Sequence, residues 1–147
     1  MNGILSNRLF LTAIAADVIA QILKAVVYLA MERRWDFSRM FESGGMPSSH
    51  SALVSALAAG VGFTEGFHTP LFAVAAVFAL VVMYDATGVR RSAGKHAHVL
   101  NELILSLSHV LEDGFEHESL KTFLGHSYPQ VIAGFLLGVA AAWISMG

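Results

Sequence analysis

The run from Gly44 to Arg91, GGMPSSHSALVSALAAGVGFTEGFHTPLFAVAAVFALVVMYDATGVRR, decides the fold. No Asp, Glu, Lys or Arg occurs from Ser43 to Thr64, and none from Gly66 to Tyr84. A helix needs about 20 mostly apolar residues to cross a hydrocarbon core about 30 Å thick. The run therefore reads as two membrane spans, 47–64 and 69–86, joined by the short connection from Glu65 to Thr69. Working outward, apolar stretches broken only by Asp17, Gln21 and Lys24 give a span over 8–31. The charge-free tail from Thr122 to Gly147 gives another over 127–146. The polar residues inside the first span distinguish it from a cleaved signal peptide.

Composition agrees with four spans. Of 147 residues, 55% are hydrophobic and 14% charged, with a mean hydropathy of +0.61. Soluble domains carry about 25% charge, so a soluble bundle of this chain would lack the charged residues to coat its surface. A net charge of −2 excludes a basic nucleic-acid-binding face. With no cysteine there is no disulfide framework, thiolate metal site or Cys nucleophile. The expected fold is an all-α integral membrane bundle of about four transmembrane helices plus one amphipathic helix, forming a single domain over 1–147.

The amphipathic element is expected over 95–113. Leu100, Leu103, Ile104, Leu107, Val110 and Leu111 recur at helical spacing, and Asn101, Glu102, His109, Glu112 and Asp113 take the opposite face. The stretch from Asp113 to Ser119 reads as a solvated loop. Small residues on span two (Ser51, Ser55, Ala58, Ala59, Gly62) and span four (Gly134, Gly138, Ala142) mark faces where helices can approach closely.

Basic residues gather in two connections: Arg33, Arg34 and Arg39 after span one, and Arg90, Arg91, Lys95 and Lys121 after span three. The positive-inside rule puts both in the cytoplasm and both termini outside, with Arg8 weakly opposed. Alternation of four spans then brings the end of one, the start of two, the end of three and the start of four to one membrane face. Lys24, His50, Arg90, Arg91 and His126 can converge there. Ionisable residues in or beside a membrane core are functional hypotheses by default.

The chemistry that suits this set is phosphoryl transfer. Gly44 to His50 opens a helix, whose free N–H groups and dipole favour an anion. Ser48 and Ser49 add hydroxyl donors. Lys24, Arg90 and Arg91 can neutralise phosphate oxygens, arginine bidentately. Two histidines on one phosphate can divide the work, one attacking phosphorus and the other protonating the leaving oxygen. That scheme needs no metal and no cofactor.

These residues resemble the divergent branch of the type-2 phosphatidic acid phosphatase superfamily, the membrane proteins related to acid phosphatases and vanadium-dependent haloperoxidases. The resemblance covers nearly the whole chain. Its most specific parts are GGMPSSH (Gly44 to His50), DATGVRR (Asp85 to Arg91) with Gly94 and Leu100-Asn101 following, and Leu124-Gly125-His126; Lys24 after Gln21 matches the early lysine. The resemblance implies His50 as the acid for the leaving group, His126 as nucleophile, and Lys24 with Arg90 or Arg91 as phosphate ligands. It also implies a lipid phosphate substrate among membrane lipids, in a bacterial inner or plasma membrane; the positive-inside count puts the site on the cytoplasmic side.

Two departures stand out. The superfamily's acid, four residues after the nucleophilic histidine, is replaced by Gln130, which accepts a hydrogen bond but carries no charge. In the serine-protease triad the corresponding amide substitution lowers the rate about 10⁴-fold. Asp85 or Asp17 are alternative acids, although Asp85 also reads as an arginine's partner. The arginine normally just ahead of the histidine is also missing, since Leu120 and Lys121 occupy that region. His96 is a decoy, spaced from Arg90 as the superfamily's arginine and histidine are, but followed by Leu100 where an acid is needed. His68, His98, His109 and His117 read as solvated bystanders.

The leading expectation is hydrolysis of a phosphomonoester such as phosphatidylglycerophosphate. The alternatives are a polyprenyl diphosphate phosphatase, or a weakly active protein that binds or transports lipid phosphates. Haloperoxidase chemistry has no support in these residues. Four spans are few for burying a complete polar site, and a homodimer is one way to complete it.

Overall fold

The structure is a computed structural model that describes residues 3–32, 44–107, 119–122 and 124–147. Arg33, Arg34, Arg39, His109 and His117, and the last six residues of the expected 95–113 helix, lie outside the described residues. Among the described residues a short 3-10 turn at Ile4–Ser6 precedes five helices: α1 (Arg8–Glu32), α2 (Ser49–Glu65), α3 (Pro70–Thr87), α4 (Val89–Leu107) and α5 (Tyr128–Met146).

Local chemistry sets several helix starts. Ser48 caps α2, its Oγ accepting from the Ser51 N–H at 3.3 Å. Thr69 caps α3 in the same way, with Phe72 N–H at 3.3 Å, and Pro70 supplies a φ suited to the first turn. Pro129 does the same for α5. α3 ends where the Gly88 N–H bonds the Tyr84 carbonyl at 2.9 Å, and α4 starts at the next residue. Arg90 and Arg91 therefore belong to the first turn of α4 and not to a loop closing span three. The amphipathic helix begins about six residues before its expected start.

Among the described residues, three helices are long and apolar enough to cross a membrane: α1, α3 and α5. α2, the other expected span, has 17 residues and is about 25 Å long. It packs against α1, α3 and α5, whereas α1 and α3 do not meet. This central position lets α2 carry serines, since its neighbours and not lipid meet them. Ala16 and Ala20 of α1 pack on Ala52 and Ala56 of α2, with Leu137 and Ala141 of α5 closing the cluster. On the other side Val54 and Ala58 meet Ala79 of α3.

Of the small-residue faces expected on spans two and four, Ser51 and Ser55 meet Gly134 and Gly138, whereas Ala58 packs towards α3 and Gly62 against Phe67. A Cβ added to Gly138 would lie 2.1 Å from Ser55 Oγ, and one on Gly134 would lie 2.2 Å from the Ser48 carbonyl oxygen. The close approach lets Ser55 Oγ donate to the Phe135 carbonyl at 3.2 Å. Interhelical bonds of this kind contribute about 0.6 kcal/mol in membranes. At the far end of the bundle Thr12 and Ser145 hydroxyls bond at 2.9 Å, and Arg8 donates to the Ser145 carbonyl. Phe10, Ile14, Ile22, Val74, Phe78, Val81, Phe135 and Ile144 remain exposed on α1, α3 and α5, forming the apolar exterior of a membrane bundle.

Candidate active site at the basic end of the bundle

Lys24 approaches the site from the alanine face of α1, close enough to act on His126 electrostatically, but lines neither of the site's two cavities. It follows Ala13, Ala16 and Ala20 at helical spacing and is 2% exposed. Asp17 and Gln21, expected on the same face, sit on its half-buried flank and bond each other at 2.8 Å. The Lys24 stem packs against the Gly44–Ser48 loop, where a Cβ on Gly45 would lie 3.0 Å from Lys24 Cγ and from Tyr28 Cε2. Gly45 also has a φ of 90°, which favours glycine.

The same end receives α3 and α5. The Ser48 N–H donates to the Gln130 carbonyl at 3.0 Å, and the His126 N–H donates to the Ala86 carbonyl at 2.8 Å. Gly125 has a φ of 85°, and a Cβ there would lie 2.5 Å from the Arg91 backbone nitrogen. Glycine at 125 is thus what lets the chain press against α4 just before His126.

His126 is buried, at 5% exposure. Its Nδ1 lies 3.3 Å from Gln130 Oε1, and the same oxygen accepts the Ser127 N–H at 2.9 Å. The backbone N–H fixes that amide atom as oxygen, so Nδ1 must carry the hydrogen it shares with Gln130. Nε2 is left with the lone pair. Burial pushes the His126 pKa below the ordinary imidazole value of 6.5; Lys24 and His50 push the same way. Hydrogen bonding with Gln130 and the Gly45 backbone opposes them without prevailing. Burial therefore favours the neutral ring.

His126 borders two cavities. One is a recess of about 20 Å³ lined by His50, Val82, Asp85, Ala86, Arg90 and Gly125 as well. Within it Arg90 Nε donates to Asp85 Oδ2 at 2.7 Å, so Asp85 is engaged by an arginine and Gln130 is the partner of the histidine. The other is a cleft of about 710 Å³, whose polar walls include Tyr28, Arg91, Lys95, His98 and Thr122. Arg90 and Arg91 are therefore divided between the two. Ser48 and Ser49 line neither; Ser48 is fully buried and also accepts from the Ser51 hydroxyl at 2.9 Å, so its oxygen serves the helix cap. His96 lines neither and lies about 140° around α4 from Arg91. Among the described residues, no three His, Asp or Glu side chains cluster closely enough to hold a metal ion.

Sequence reasoning missed Tyr28, Lys95 and His98 as cleft residues. The signal was the i, i+4, i+7 spacing of Arg91, Lys95 and His98. His98, read as a bystander, is exposed but faces the cleft, 3.7 Å from Glu102. The Ser127-x-x-Gln130 pattern also carried unread information, because it is the signature of a helix capping box.

A family model described as the Divergent PAP2 family matches residues 5–141. The chain is 39% identical over 145 residues to the uncharacterized membrane protein YuiD of Bacillus subtilis (strain 168), a match covering 92% of each chain. No solved structure matches.

Proposed function

The chain belongs to the Divergent PAP2 family, and from that premise we propose that it is a metal-independent lipid phosphatase that uses a phosphohistidine intermediate. The observation that carries this reading is His126, which lines both a basic cleft and the recess holding His50 while its Nδ1 is engaged by Gln130. Lys24, Arg90 and Arg91 bring positive charge to the same end.

In the first step the Nε2 lone pair attacks phosphorus and the P–O ester bond breaks. His50 gives its proton to the departing lipid oxygen. In the second step water attacks phosphorus, the P–N bond breaks, and the water's proton passes to the now neutral His50. Inorganic phosphate leaves, and both histidines return to their starting states. Asp85 orients Arg90, and Gln130 holds the His126 tautomer.

A phosphomonoester lipid such as phosphatidylglycerophosphate suits a site at the membrane face. An apolar groove of about 500 Å³ between α3 and α5, lined by Leu80, Val81, Met83, Tyr84, Tyr128 and Val131, offers a place for an acyl chain. The test is phosphate release from phosphatidylglycerophosphate and polyprenyl diphosphate by the purified protein. His50→Ala should lower kcat by about 10²–10⁴-fold, the usual contribution of a general acid, and His126→Ala should abolish turnover. Equal release by all three proteins overturns the assignment. Gln130 favours a second reading, a lipid-phosphate binder with little turnover, which predicts lipid binding that survives His126→Ala.

A further inference from the structure

The cleft extends well beyond His126. One of its walls is α4, which contributes Arg91, Lys95 and His98. At i, i+4 and i+7 these form one stripe about 10 Å long. Its near end is fixed beside the histidine, through the contact of Gly125 with the Arg91 backbone. The rest of α4 is held in place as well. A Cβ on Gly94 would lie 2.5 Å from the Thr122 carbonyl oxygen, and Asn101 exchanges hydrogen bonds of 2.9 and 3.0 Å with the Leu120 backbone.

The two cavities differ in charge balance. In the recess Asp85 offsets Arg90. Among the described residues no Asp or Glu lines the cleft, and neither Arg91 nor Lys95 pairs with a carboxylate, whereas His98 lies 3.7 Å from Glu102. Tyr28 and Thr122 line the same cleft. A single phosphate at His126 would leave most of this positive wall unanswered.

We propose that Arg91, Lys95 and His98 form a second-anion subsite, which selects lipids carrying another phosphate beside the one transferred to His126. Two lipid types have that chemistry: a diphosphate, and a phosphomonoester separated by glycerol from a phosphodiester. A phosphatidic acid, with one phosphate, leaves the stripe unfilled. Selection during turnover rests on the phosphatase reading, while anion binding by the stripe does not.

The experiment has two arms on the full-length protein in detergent–lipid micelles. The first measures kcat/KM for phosphatidylglycerophosphate, polyprenyl diphosphate and phosphatidic acid. In Lys95→Gln the ratio of either two-phosphate lipid to phosphatidic acid should fall about tenfold, the worth of one charge-assisted hydrogen bond. The lipid whose ratio falls identifies the spacing that the subsite accepts. Ratios unchanged for both overturn the proposal. The second arm follows the rise in Tm with inorganic diphosphate and with inorganic phosphate. Diphosphate should bind about tenfold more tightly, and Lys95→Gln and His98→Gln should narrow that gap. Equal binding of the two anions overturns the subsite whether or not lipid is hydrolysed. Tighter diphosphate binding without hydrolysis of any lipid overturns the phosphatase reading alone. The ligand-free Tm of each variant separates loss of the subsite from loss of folding.

Discussion

Gln130 is where the chain departs from a charged histidine partner, and its geometry suggests what the amide does instead. One oxygen accepts both the Ser127 N–H and the His126 ring hydrogen, so the residue that starts α5 also fixes the tautomer. Because burial holds the His126 pKa below 6.5, kcat/KM should fall as pH drops through that lowered value, where the ring gains a proton. The stability linkage has the same sign. His126 stabilises the fold fully above the unfolded-state pKa, and that contribution is lost as pH falls through the folded one. Gln130→Glu keeps both acceptor roles and adds a negative charge that favours imidazolium. Its acid limb should therefore move to higher pH, measured as a pH profile of kcat/KM against wild type. An unmoved limb would mean that residue 130 does not act on the histidine.

At the scale of elements, the seam between α2 and α5 positions the site, since the Ser48–Gln130 bond lies at its end. Gly138→Val would press a side chain into Ser55 and the Ala52 carbonyl. It should cost about 1–3 kcal/mol, as overpacking does, and be read as a lower Tm in detergent. Gly3→Ala, where a Cβ meets nothing within 4 Å, should leave Tm unchanged. Most of this architecture was legible in the sequence, because charge-free stretches mark helices and small residues at spacings of four mark their contacts. The convergence of Lys24, His50 and His126 followed from the alternation of helix ends. The start of α4 was not legible. Arg90, Arg91 and Lys95 dilute its apolar periodicity, and only Gly88 separates it from α3. Nor was the cleft, since it forms when Leu120, Thr122 and Leu124 pack on Gly94 and Asn101, a contact no local pattern announces. Acyl-chain binding between α3 and α5 is also a matter of elements. Val131→Trp should fill that groove and raise KM for long-chain substrates more than for short-chain ones, and an equal effect on both would exclude it as the chain's path.

For the whole molecule, charge asymmetry sets orientation. Lys24, Arg90, Arg91 and Lys95 lie at the site's end, while Arg8 reaches Ser145 at the other. By the positive-inside rule this asymmetry predicts a cytoplasmic site, which cysteine labelling tests. The chain has no cysteine, so single replacements report cleanly. Lys121→Cys should be protected from an impermeant thiol reagent in intact cells, and His68→Cys, in the connection between α2 and α3, should be labelled. The opposite pattern would turn the site outward and favour a polyprenyl diphosphate.

Covalent transfer to His126 is tested by mass spectrometry of the protein quenched during turnover of phosphatidylglycerophosphate. An acid-labile phosphoryl group is expected on His126, absent from His126→Ala and formed more slowly in His50→Ala. Turnover with no phosphorylated histidine, or with the group on another residue, would contradict it.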